Sequence, residues 1–484
     1  MKPSLAADAV KLTTSKIITM AISMISTMLL SRFRTLEEYG TYSQILLIIN
    51  LVSTVFIMGL PSSINYFLAQ TNDVKERKRF LSAYYSLSTT LGFLTGLALI
   101  LSTPLIVKYF DNPLIKGFIY VLAIFPWAEI TLSSIDNILI VYRKTSYLMT
   151  FRILNSLFLL LIILMTRLFK WNFETYMALF VGVEAFFALS VYLLVRKIAG
   201  NIELSLNINL IKRIMRFSIP IGLATVAGTL KKELDKLVIA GFYDTESLAI
   251  YTNAAREMPV VVIVSSVTAV LLPQMVKMLK RDKKNEAVSL WGDATLFSYI
   301  IISFLATGFF VYAPDVMSLL YSEKYISGSS VFRVYAVVLL FRSTYFGMVL
   351  NSIGKTKIIF YSAVLSLISN LILNFLFYYI WGFVGPAIAT LVATSVSAVY
   401  QLMATSKEME ISFSHIFPWK EIGYITIVNV CLGGLFALVK YFLPWERPLG
   451  EVVESIFLGV IWGIIYFLIN YRLLKTKWKT LSSN

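Results

Sequence analysis

Charged side chains stand inside long apolar runs of this 484-residue chain. The basic ones are Arg152, Lys231, Lys232, Lys236, Arg256, Arg333 and Arg342, and the acidic ones are Glu129, Asp136, Glu184, Glu233, Asp235 and Glu257. A charge at the centre of a bilayer-crossing helix costs at least about 2.5 to 3.5 kcal/mol on insertion scales, so such a residue faces a cavity or a partner. Two kinds of chemistry follow. The cations can hold an anion, and arginine best of all, because its planar fork grips two oxygens of a phosphate at once. The acids Glu129, Asp136, Glu184, Glu233 and Asp235 can hold a proton or a small cation. Arg342, near the middle of its run, is the best single candidate for an anion contact. Arg152 and Arg333 lie only about five or six residues inside theirs, where snorkelling to an interface also accounts for them.

The densest cluster is Lys231, Lys232, Glu233, Asp235 and Lys236. At helical spacing Lys232 meets Asp235 and Lys236, and Lys231 meets Asp235, which makes one face a partly neutralised cationic ladder. Such a face is either a polar wall for phosphate and sugar hydroxyls or a set of charges that satisfy one another. Gly354-Lys355-Thr356 resembles the end of a phosphate-binding loop, but Val349 occupies the position of the required earlier glycine and no strand precedes it. An ATPase is excluded, so energy comes from an ion gradient, a partner or the cargo's own gradient. One cysteine, Cys431, and one histidine, His415, exclude a disulfide framework and a Cys/His metal cluster, and no cofactor motif stands out.

The elements that position these groups follow from composition. Hydrophobic residues make up 58% of the chain and charged ones 14%, against about a quarter in an ordinary soluble domain. The apolar runs reach the length of roughly 20 residues that a helix needs to cross a bilayer. They predict an all-α polytopic membrane protein of about fourteen helices, near 10–32, 42–68, 81–107, 114–141, 146–168, 173–195, 215–241, 247–273, 291–312, 328–352, 357–380, 382–404, 420–443 and 451–471. The formal charge of +16 sits mostly in short loops. About 27 Lys/Arg fall on one side and about 9 on the other, which places both termini in the cytoplasm and leaves no case for nucleic acid. Pro126, Pro220 and Pro259 lie inside runs and can kink or hinge them.

The halves repeat. Arg143-Lys144-Thr145-Ser146 matches Gly354-Lys355-Thr356-Lys357 at a shift of about 211, and Tyr39-Gly40-Thr41-Tyr42 matches Leu248-Ala249-Ile250-Tyr251 at about 209. This suggests a duplicated six-helix unit, with lobes at 1–200 and 201–410 and two additional helices with a basic tail at 411–484. Counted over these lobes, the charges within spans give a net of −2 in the first and +3 in the second, which makes the second the anion-attracting one.

The string from Ser31 to Gln44, SRFRTLEEYGTYSQ, followed by GLPSSINYFLA from Gly59 to Ala69, resembles the N-terminal signature of Wzx-type polysaccharide and O-antigen flippases. These belong to the multidrug/oligosaccharidyl-lipid/polysaccharide exporter superfamily. Leu234 to Glu257 is similar to the opening of that family's second lobe, and Asn370 to Thr390 resembles its eleventh and twelfth helices. Ala249 stands where a glycine is usual, and Pro386 where an alanine is common.

The resemblance implies a MATE-like alternating-access transporter in a bacterial cytoplasmic (inner) membrane. Its cargo would be an undecaprenyl-pyrophosphate-linked oligosaccharide for O-antigen or lipopolysaccharide assembly. Membrane lipid, the polysaccharide polymerase and export machinery, and H+ or Na+ would be its partners. A cation-coupled drug antiporter and a peptidoglycan-precursor (lipid II) flippase share the fold and stay open. An enzyme such as a polymerase needs a substantial outer loop for its catalytic groups, and here every outer loop has about 15 residues or fewer.

Overall fold

The structure, a computed structural model, describes residues 5–203, 207–442 and 450–483. Residues 204–206 and 443–449, and with them the end of the expected span 420–443, lie outside the described residues. Among those described, all long elements are α-helices and there is no strand. The chain divides into two compact units, residues 1–249 and 250–484.

The first unit holds α1 (Leu5–Phe33), α2 (Leu36–Ile57), α3 (Leu60–Gln70), α4 (Val74–Phe110), α5 (Ile119–Leu132), α6 (Ile135–Val141), α7 (Thr145–Leu168), α8 (Phe173–Ala199) and α9 (Ile208–Phe242). Polar caps set the starts. Thr35 and Glu38 form a reciprocal capping box at 3.1 Å each way, and it fixes the tight turn from α1 into α2. Asp73, Asn172 and Asn207 accept backbone N–H groups at the starts of α4, α8 and α9. Helix α9 packs on α2, α3 and α4. The approach needs glycine: a Cβ on Gly59 would stand 2.7 Å from the backbone nitrogen of Gly222. The φ of Gly59, +70°, also favours glycine.

Helix α10 (Thr245–Ala254) crosses into the second unit, which continues with α11 (Val261–Lys280), α12 (Lys284–Val311), α13 (Ala313–Tyr321), α14 (Ser329–Phe341), α15 (Met348–Ser352), α16 (Thr356–Trp381), α17 (Gly385–Met409), α18 (Trp419–Phe442) and α19 (Gly450–Ser483). The last two pack on α12, centred on the fully buried Trp462. Lys440 anchors them to α13 by an ion pair with Asp315 at 2.5 Å.

Twelve described stretches are long and apolar enough to cross a membrane. One of them, Thr356–Met409, contains both α16 and α17, and the charged α9, 35 residues long, stands outside the twelve. Splitting the first and adding the second gives the fourteen spans, and the chain is an all-α multi-pass membrane protein.

Four spans expected to be continuous are broken, the second, fourth, eighth and tenth of the chain. The breaks fall at Met58–Gly59, at Ser133–Ser134, at 255–260 and at 342–347. Left-handed backbone at Met58 and Gly59 makes the first, and the third contains Pro259. Pro126 and Pro220, by contrast, lie inside continuous helices, α5 and α9.

Candidate functional site

Two of these breaks meet. Non-helical backbone at membrane depth exposes carbonyl and N–H groups that hydrocarbon cannot satisfy, so it persists only where protein or a polar cavity covers it. Residues 255–260, between α10 and α11, carry Arg256 and Glu257; Arg342 is the residue on which α14 ends. The Arg342 guanidinium donates to Glu257 Oε1 at 3.0 Å, with both side chains 45% exposed. Arg256, Glu257, Arg342, Tyr335 and Thr390 line one cavity there, with Phe332 among its apolar walls. Two guanidiniums and one carboxylate line it together with hydroxyls and an aromatic wall. That combination suits an anion attached to an apolar body.

The other cations stand elsewhere. Arg333 donates from Nε to the Phe310 carbonyl at 3.2 Å and lies over that ring. Nine residues of helix, roughly 13 Å, separate it from Arg342. Arg152 on α7 donates Nε to Asp136 Oδ1 at 2.8 Å and a second nitrogen to Oδ2, a two-point ion pair beside the Ser133–Ser134 break. Both residues are thereby neutralised locally.

The α9 cluster lies in the first unit, through the packing on α2 to α4. With it there, the ionisable groups within spans sum to −1 in the first unit and +2 in the second. The cluster also contains a pair that the expected ladder did not include. Lys236 Nζ pairs with the buried Glu233 at 2.6 Å, and Asn50 of α2 approaches the same carboxylate at 3.4 Å. Asp235, 1% exposed, accepts from the Lys236 backbone N–H at 2.8 Å. Lys232 is exposed, and Lys231 is partly buried and engaged.

Glu129 of α5 and Glu184 of α8 stand apart from all of these. They lie on the packed helices α5 and α8, near enough for their charges to interact, with Asn155 of α7 beside Glu184 and Ser53 of α2 beside Glu129. Neither forms an ion pair among the described residues. Both acids were named from the sequence, but their pairing was invisible there, because 55 positions separate them.

Two features escaped sequence reasoning. Arg34, 8% exposed, donates to the Trp171 carbonyl at 3.3 Å and lies over the rings of Phe173 and Tyr176. Asn112 joins Thr41 and Gln44 at 2.8 and 2.7 Å, and Gln44 reaches Thr245 at 3.1 Å. This network ties the start of α10 to α2. The Tyr39-Gly40-Thr41-Tyr42 motif was its signal, because a Cβ on Gly40 would collide with the Thr245 carbonyl.

Comparison with known proteins adds an independent line. The family model described as polysaccharide biosynthesis protein matches residues 29–330. The chain is 22% identical to the uncharacterised membrane protein MJ1068 of Methanocaldococcus jannaschii, over 79% of this chain and 76% of that one. It is 20% identical to the probable low-salt glycan biosynthesis flippase Agl15 of Haloferax volcanii, over half of each. Among solved structures, the lipid II flippase MurJ in an inward closed conformation superposes with a TM-score of 0.76 at 18% identity, covering 96% of this chain and 98% of that one. A multidrug resistance MATE transporter in an inward-facing conformation gives 0.62 at 14% identity, covering 83% and 98%.

Proposed function

The chain belongs to the polysaccharide biosynthesis protein family, and from that premise we propose that it flips an oligosaccharide carried on undecaprenyl pyrophosphate across a cytoplasmic membrane by alternating access. The observation that carries this reading is the cavity at two facing helix breaks, where Arg256 and Arg342 outnumber Glu257. A diphosphate offers several oxygens to such a pair, and the guanidinium fork can take two of them. Broken helices near mid-membrane are where transporters of this kind bind cargo, since backbone groups there remain available to it.

Each residue then has a role. Arg342 and Arg256 clamp the diphosphate, Tyr335 and Thr390 offer hydroxyls, and Phe332 lies along the apolar portion. Glu257 holds Arg342 when cargo is absent and yields it when cargo arrives. The working lobes are 1–200 and 201–410, the helices of 411–484 flank the second, and both termini face the cytoplasm. In this scheme Lys231, Lys232 and Lys236 form a polar wall, and the acids of the first lobe supply the ion coupling. The fold is equally that of multidrug exporters, yet a surplus of cations in the cavity favours an anionic cargo. A peptidoglycan precursor carries the same diphosphate, and the sugar attached to it decides between the two flippase readings.

The test is made in cells whose own gene is deleted and that lack a redundant flippase. Lipid-linked oligosaccharide is followed in the two leaflets. The intact gene restores delivery, and Arg342→Ala, at equal membrane abundance, leaves the cargo on the cytoplasmic side. Full delivery by Arg342→Ala removes the anion site, and delivery without any copy of the gene removes the function.

A further inference from the structure

The two breaks of the first unit leave two half-helices, α3 after Met58–Gly59 and α6 after Ser133–Ser134, and these pack on one another. Their buried sides share one apolar cluster, in which Leu60 and Ile64 of α3 meet Ile138 and Leu139 of α6. Their other sides are polar and open. Ser62, Asn65 and Tyr66 follow the spacing i, i+3, i+4, and Ser133, Asp136 and Asn137 repeat it, so each half-helix presents one partly or fully exposed polar stripe. The amides join the stripes: Asn65 Nδ2 donates to Asn137 Oδ1 at 2.7 Å.

These stripes stand at membrane depth. Asn65 follows the first break by about 9 Å of helix and Asn137 the second by about 5 Å, inside the membrane-crossing stretches Leu36–Gln70 and Pro113–Val141. Hydrocarbon offers an exposed amide no partner, so this face lines a water-filled space.

What the face holds out to a ligand can be counted. The mutual hydrogen bond occupies one donor and one acceptor, which leaves Asn65 Oδ1 to accept and Asn137 Nδ2 to donate. Neither side chain has another hydrogen bond among the described residues. Tyr66, 44% exposed, is stacked on Phe217 of α9 with ring centroids 4.3 Å apart and planes 18° apart. An ordered aromatic ring therefore stands beside the two amides. Helix α3 carries no charged residue, and the single charge of α6, Asp136, is held by Arg152.

A phosphate finds no cation on either half-helix, and an apolar chain would leave the amides unsatisfied. A pyranose ring meets all three requirements. Its neighbouring hydroxyls both donate and accept, as an amide oxygen beside an amide nitrogen requires, and its C–H groups suit the negative face of an aromatic ring. We propose that Asn65, Asn137 and Tyr66 form a subsite for an uncharged sugar ring on the cytoplasmic half of the first unit, where the glycan of the cargo is recognised. The inference rests on the transport reading above for its cargo and adds to it the residues that tell one glycan from another.

The test uses water-soluble methyl glycosides, which carry neither lipid nor phosphate. Full-length protein in lipid nanodiscs is titrated with neutral hexosides, N-acetylhexosaminides and a uronic acid glycoside, and binding is read by saturation-transfer NMR. At least one neutral glycoside should bind more tightly than the uronate. Asn65→Leu combined with Asn137→Leu keeps the side-chain volume and removes the hydrogen bonds, so it should weaken that binding roughly tenfold. Tyr66→Ala should also weaken it, whereas Tyr66→Phe should keep most of it. A second measurement is made in a Cys431→Ser background, which removes the one native thiol. There Asn65→Cys should react with a membrane-impermeant maleimide, and bound glycoside should slow the reaction. The proposal is overturned by an absence of binding across the panel, by unchanged affinity in the double leucine variant, or by a preference for the uronate. An Asn65→Cys thiol out of reach of the maleimide overturns it too, because the face then lies against lipid. Loss of undecaprenyl diphosphate binding with glycoside binding intact removes the arginine clamp alone, and the reverse removes this subsite alone.

Discussion

Each unit places an arginine–carboxylate pair beside a break in one of its spans, the fourth and the tenth of the chain, and the two pairs are built differently. In the first unit Arg152 grips Asp136 through two nitrogens, with side chains 30% and 38% exposed. In the second Arg342 reaches Glu257 through one nitrogen at 3.0 Å, both are 45% exposed, and a second arginine, Arg256, lines the same cavity. A two-point pair gains little by releasing its partner. A one-point pair at a cavity that a second arginine also lines can exchange its carboxylate for the oxygens of a ligand at small cost. The two pairs thus differ as a closed brace differs from an open clamp.

The largest effect should come from the clamp. Arg342→Ala removes a charge-assisted contact worth about 1.5 to 3 kcal/mol, so the affinity for undecaprenyl diphosphate should fall roughly tenfold or more, measured by titration of the purified protein in detergent. Retention of full affinity would erase the contrast between the two pairs. Glu257→Gln should act in the opposite sense and less strongly. With its competitor neutralised, Arg342 should bind the diphosphate a few-fold more tightly, while flipping slows because release is harder; weaker binding would show Glu257 to be a cargo contact, not a placeholder.

Asp136→Asn probes the brace. It should lower stability by about 1 kcal/mol, given the partial exposure of the pair, and leave diphosphate binding unchanged. Thermal melting and the same titration read the two halves of that statement, and a binding defect would make the brace a second clamp. The smallest effect belongs to Glu203, whose carboxyl Lys78 holds below its ordinary range on the open surface. Any stabilisation from that pair is present at neutral pH and fades as the carboxylate is protonated in acid. Solvent screens it, so Glu203→Gln should melt with the wild type at pH 7.

The spans were legible because a bilayer demands about 20 apolar residues in a row, a constraint that leaves its mark on composition. The breaks were hidden because hydropathy continues across them. Arg256 to Pro259 and Arg342 to Gly347 sit between apolar flanks, and only packing decides that the helix stops there. For the same reason the ionisable residues could be named but not partnered. Arg342 was chosen for its depth in the membrane, and nothing in its neighbourhood of sequence points to Glu257, 85 positions away. Within α9 local spacing suggested Lys232 with Asp235, but the burial of Glu233 against α2 drew in Lys236 instead. The cluster's place in the first unit likewise follows from Gly59 and Gly222, where small residues let α9 approach the second span.

The arginines where the two broken helices meet should read the diphosphate. The most direct test of this compares the affinity of the purified full-length protein for undecaprenyl diphosphate with that for uncharged undecaprenol, in wild type and in Arg342→Ala. Wild type should prefer the diphosphate by at least about tenfold, and the variant should lose most of that preference while binding undecaprenol as before. An undiminished preference in Arg342→Ala would contradict it.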